Sequence, residues 1–135
     1  MLEPLGGYLL LAEKLAAGQN TAPDPNPYAE AFNFGPQLEA TRSVGQLVEE
    51  VFQHWPGSWV GGSDQGALHE AGQLHLQIDK AHHQLCWQPR WDFATAVART
   101  VGWYRAVHEE ASALDCCLAD LALYQQLKPQ QISKP

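Results

Sequence analysis

The sequence predicts an α/β chain dominated by helices, with a few short strands. Three observations predict this. Apolar side chains recur at helical spacing in four long stretches, strict apolar/polar alternation is confined to one short stretch, at 73–78, and Pro and Gly clusters cut the chain between these segments. The 135 residues fit one domain over 1–128, followed by a tail at 129–135 that is expected to fray. With 45% hydrophobic and 17% charged residues, the composition is opposite to that of a disordered chain.

Taken in order, Leu2, Leu5, Leu9, Ala12 and Leu15 share one face of a helix over 2–17. Pro4 is tolerated in its first turn and Gly18 is a natural stop. Met1 leaves no room for an N-cap, so this segment reads as the continuation of something longer. Pro23, Pro25 and Pro27 make a loop, because each removes an amide donor and biases its predecessor towards extended backbone. Ala31–Phe34 then reads as a short strand ended by Gly35-Pro36. Ser43 with Gln46 is a capping-box pair, and it opens a helix with Val44, Leu47, Val48, Val51, Phe52 and Trp55 on one face.

Ser58–Val60 is a candidate strand, and 61–66 a polar loop. Leu74, Leu76 and Ile78 alternate with polar residues, as in a strand with one buried face. Asp79 is expected to cap a brief helix through Leu85. Asp92 is expected to cap a longer one, with Phe93, Val97, Val101, Tyr104 and Val107 as its buried stripe. Ser112 opens the last helix, in which Leu114, Cys117, Leu118, Leu121 and Tyr124 are the expected buried set.

Composition narrows the function. A net charge of −7, with eight cations scattered along the chain, lacks the basic stripe that nucleic acid requires. No apolar run approaches the ~20 residues of a membrane span, and no secretory signal follows Met1, so a cytoplasmic chain is expected. The three cysteines are an odd number with an adjacent pair, and they are expected to be reduced, partly buried thiols.

No Gly-rich phosphate loop and no G-x-S-x-G elbow occurs. His82, His83 and Cys86 form an H-H-x-x-C cluster, but no second dense ligand pair completes a tetrahedral set, so no metal is expected. His69 and Glu70, between a Gly-bearing loop and the alternating segment, are candidate ligand contacts. A carboxylate there can accept from ribose hydroxyls and an imidazole can donate to phosphate; an exposed pair without a ligand fits the same letters. Asn33, among apolar neighbours, either satisfies backbone groups near Gly35 or faces a polar ligand.

Several blocks resemble one family. Glu3-Pro4-Leu5-Gly6-Gly7-Tyr8-Leu9-Leu10-Leu11-Ala12-Glu13, Phe32-Asn33-Phe34-Gly35-Pro36 and His69-Glu70-Ala71 are similar to segments of CDP-glucose 4,6-dehydratases, members of the extended short-chain dehydrogenase/reductases. So are Lys80-Ala81 with Leu85, Trp87, Pro89 and Trp91, and then Trp103-Tyr104, all in the same order. The resemblance implies that 1–128 is the carboxy-terminal, substrate-binding part of such an enzyme. It lacks the dinucleotide-binding Rossmann half, with its NAD-binding loop and catalytic Tyr-x-x-x-Lys.

On this resemblance Asn33, His69 and Glu70 help line a CDP-sugar pocket, and no catalytic residue lies in this chain. NAD is implied for the complete enzyme and not held here. The partners implied are a CDP-sugar and either a separate NAD-binding half or a second copy, met through the first helix. A stand-alone nucleotide-sugar-binding or interaction module is the other reading. Departures from the family pattern are Gln77 for Asp and Asp79 for Ser in its D-x-S-K element, and Cys86 for the Gly before Trp87.

Overall fold

The computed structural model describes residues 2–18, 26–61 and 76–127. Among them the chain runs through α1 (Leu2–Gly18), a 3-10 turn (Leu38–Ala40), α2 (Val44–His54), α3 (Asp79–Leu85), α4 (Phe93–His108) and α5 (Ala113–Gln126). The helix starts are set locally. Ser43 Oγ accepts from Gln46 N–H at 3.2 Å while Gln46 Oε1 accepts from Ser43 N–H at 2.9 Å, a complete capping box. Asp92 accepts from Thr95 N–H at 2.8 Å to start α4, and Ser112 accepts from Asp115 N–H at 3.3 Å to start α5. The expected cap at Asp79 is absent, since α3 begins at that residue and no side chain caps it. The Asp79 carboxylate instead accepts from Gln77 Nε2 at 3.0 Å.

α4 is the central helix of one layer, packed against α2 and α5, while α1 lies on α3. The core cluster gathers Phe34, Ala81, Leu85 and Trp87, with Leu10, Leu11, Tyr28, Phe32 and Ile78 around it. Its aromatic spine is edge-to-face throughout: Tyr8 to Phe34 at 5.3 Å between ring centroids, and Phe34 to Trp87 at 5.0 Å. Gly7 is required here, because a Cβ at that position would stand 2.3 Å from the Phe34 ring. α3 ends at Cys86, whose φ of 54° and ψ of 29° are left-handed; this turn lets Trp87 N–H reach the Ala81 carbonyl at 3.2 Å. Gly suits such a turn, and Cys carries a steric cost there.

The fold class therefore needs a correction, for the described residues are helical and contain no strand. Residues 31–34, 58–60 and 76–78 are irregular; the rest of the alternating stretch lies outside the described residues. A strand needs a neighbouring backbone to share its ladder. The 31–35 and 76–80 segments do approach each other, but their bonds run from side chain to backbone. Asn33 Nδ2 donates to the Gln77 carbonyl at 3.3 Å, and Lys80 Nζ donates to the Ala31 carbonyl at 3.1 Å. Lys80 also pairs with Glu30 and sits 4.5 Å from the Phe32 ring centroid.

The stripe expected to be buried on α5 is mostly exposed: Leu114 is 67% and Leu118 is 53% accessible, and Tyr124 is the one buried residue of that helix. On α4, Val97 and Val101 are buried but Tyr104 is exposed, and on α2 Val44 and Leu47 are exposed. Cys86 and Cys117 are exposed and Cys116 is half-buried, so the thiols are free but less sheltered than expected. No helix among the described residues is long and apolar enough to cross a membrane. The tail at 129–135 lies outside the described residues.

Candidate functional site

A cleft of about 490 Å³ opens where the start of α1, the 34–42 segment and the start of α4 meet. Each wall follows from local sequence. Phe34-Gly35-Pro36 leaves the core and turns the chain towards the 3-10 turn, while Pro89 and Trp91 carry the chain from α3 to the Asp92 cap. Aromatic and proline surface dominates, with Glu3, Glu39, Asp92 and Arg42 at its polar positions. Arg42 holds its own loop, because its Nη1 donates to the Glu39 carbonyl at 2.7 Å and the Thr41 carbonyl at 2.9 Å. Its guanidinium lies 5.4 Å from the Phe93 ring centroid. The Asp92 carboxyl is held below its usual range, first by the hydrogen bond from the Thr95 side chain and then by that from the Thr95 N–H. It therefore faces the cleft as a carboxylate near neutral pH.

The Glu3 wall is the most heavily bonded. Glu3 Oε1 accepts from the backbone N–H of Arg90 at 2.9 Å and of Trp91 at 2.8 Å, and Oε2 accepts from the Tyr124 hydroxyl at 2.8 Å. Burial first, and then the hydrogen bond to the Glu3 carboxylate, push the Tyr124 hydroxyl well above its ordinary range. Arg90 Nη1 donates to the Tyr124 carbonyl at 3.0 Å, and the Trp91 and Tyr124 rings meet edge-to-face at 5.4 Å.

Of the residues the sequence singled out, Asn33 is exposed and its amide donates to the backbone carbonyl of Gln77, whose neighbours Leu76 and Ile78 lie against Gly35. It adjoins the cleft-lining Phe34 without lining the cleft itself. His69 and Glu70 lie outside the described residues. The His82 and His83 rings meet edge-to-face at 4.9 Å, and no group of three His, Cys, Asp or Glu side chains among the described residues is placed to hold a metal ion. Sequence reasoning named none of Glu3, Arg42 and Trp91 as site residues, although Glu3 and Trp91 stand in the family blocks. A signal existed for Glu3, as an acid in a first turn beside Pro4, but its partners are 87, 88 and 121 residues away.

The arrangement is that of a helical lobe offering an apolar cleft with a few charged groups. No family model matches the chain. The CDP-glucose 4,6-dehydratase of Salmonella typhimurium is 31% identical to it over 126 residues, 92% of this chain and 33% of that protein. The chain thus spans about a third of the length of this curated relative. It is similar to part of a sugar-nucleotide dehydratase.

Proposed function

We propose that this chain is the sugar-nucleotide-binding part of a CDP-glucose 4,6-dehydratase-like enzyme, and that it supplies walls for a CDP-sugar but does not turn it over alone. The observation that carries the reading is the 31% identity to such a dehydratase over 92% of this chain. The apolar cleft supports it, and in this reading Asn33, His69 and Glu70 are contacts of the nucleotide. In the whole enzyme the reaction would oxidise C4 of the sugar, remove water across C5 and C6, and return the hydride to give a 4-keto-6-deoxy sugar, with NAD as the hydride carrier.

At the starts of α2, α4 and α5 the amides of Gln46, Thr95 and Asp115 are already bonded to Ser43, Asp92 and Ser112, and the Asp92 cap adds negative charge where a phosphate would bind. In this reading the coenzyme is held by polypeptide beyond the matched third. α1 leaves Leu5, Tyr8 and Leu9 exposed at helical spacing, and we assign this face to contact with that polypeptide.

The test is an assay with CDP-glucose and NAD on the purified chain. No 4-keto-6-deoxy product is expected, and turnover by this polypeptide alone would refute the proposal. Calorimetric titration with CDP addresses the second reading, a stand-alone binding module, which the cleft favours: saturable binding by the isolated chain supports it.

A further inference from the structure

We infer that Glu3 is a positioning residue through which the last turn of α5 sets the wall of the cleft. The segment between α3 and α4 supplies that wall with Pro89 and Trp91. Its backbone has little else to hold it: Pro89 has no N–H, and the amides of Arg90 and Trp91 both end on one oxygen of Glu3. The other oxygen is taken by the hydroxyl of Tyr124, which is 6% accessible. Arg90 closes the ring of contacts, bonding the Tyr124 carbonyl while its guanidinium lies 4.8 Å from the centroid of the Tyr124 ring.

One carboxylate therefore joins three parts of the chain, and two of its three donors belong to the cleft wall. Gly6 leaves room for the Tyr124 hydroxyl, since a Cβ there would stand 3.3 Å from it. The outer face of α5 contributes little to holding this helix, with Leu114 and Leu118 exposed. Tyr124 is then the point at which α5 orients the Glu3 carboxylate, and through it Arg90 and Trp91. This inference holds for any cleft ligand and goes beyond the sugar-nucleotide reading.

The test is residue-resolved amide hydrogen exchange on the full chain, comparing wild type with Tyr124→Phe, which deletes one oxygen and none of the donors being read. Exchange at the Arg90 and Trp91 amides should rise roughly three- to tenfold, the loss expected from one hydrogen bond. The capped amides of Gln46 and Thr95 should rise less than those two, by no more than the global loss of stability requires. Glu3→Ala should release both wall amides further, and Glu3→Gln, which keeps an acceptor oxygen, should restore most of their protection.

Unchanged rates at Arg90 and Trp91 in Tyr124→Phe would overturn the inference. An equal rise at Gln46, Thr95, Arg90 and Trp91 would also overturn it, because the cleft wall would then respond no more than the rest of the chain. The same samples titrated with CDP keep the two questions apart: failure of wild type to bind CDP removes the stand-alone nucleotide-binding module, while the exchange pattern still decides the coupling.

Discussion

The Phe34 side of the molecule and the outer face of α5 are built from similar apolar residues, yet they are used in opposite ways. Around Phe34, irregular backbone brings α1, α3 and Trp87 into contact close enough that Gly7 cannot carry a side chain. On α5, Leu114, Leu118 and Leu121 line up at helical spacing and remain exposed, while the helix is held by α4 and by the polar junction at Tyr124. An apolar stripe states only that a face avoids water; whether something covers it depends on what else the chain brings there.

Substitutions in the two regions should separate sharply in denaturant unfolding. Phe34→Ala should cost about 3–5 kcal/mol, because it empties the centre of the aromatic cluster. Comparable destabilisation from Leu118→Ala would erase the contrast. Tyr124→Phe should cost about 1.5–3 kcal/mol at pH 7, since it strips a hydrogen bond from a carboxylate. That difference has a defined pH dependence. The hydroxyl titrates at 10.0 in the unfolded chain and higher in the folded one, so its contribution is fully present below pH 10 and is lost as pH rises beyond it. Wild type and Tyr124→Phe should therefore converge in stability above pH 10, and a constant gap in alkaline melts would contradict the assignment.

Gly7→Ala should destabilise by about 1–3 kcal/mol through overpacking against Phe34, in spite of the roughly 1 kcal/mol that Ala gains over Gly in a helix. Cys86→Gly should have the reverse sign. Relief of a left-handed Cys, offset by the greater freedom of Gly in the unfolded chain, should stabilise by about 0.5–1 kcal/mol. Its melting temperature should rise, and a fall would mean that Cys86 makes a contact worth more than the strain. Leu118→Ser on the outer face of α5 should stay within about 0.5 kcal/mol of wild type, the smallest effect of the set.

Much of this fold was legible in advance wherever its cause was local. Ser43 with Gln46, Asp92 before Thr95, and Ser112 before Asp115 each start a helix through bonds spanning three residues, and all three were readable as caps. The expected strands do not appear among the described residues, for the complementary reason. Residues 31–34 and 76–78 carry strand-like letters, but a ladder is made by two backbones, and Asn33 and Lys80 join these regions through their side chains. Of the candidate site, Asn33 was identified by type and its partner Gln77 was not. The family blocks had marked Glu3, Phe34 and Trp91 without saying that they would share one cleft.

By itself the sequence determined where helices start and stop, which faces are apolar, and which protein family the chain resembles. These depend on neighbours within a turn or two, or on the order of residues. Only the tertiary structure decided which apolar faces are covered, that no ladder forms among the described residues, and that Glu3 joins the cleft wall to α5. Those outcomes depend on groups up to 121 residues apart competing for the same oxygen atoms and the same space, and no local pattern encodes that competition.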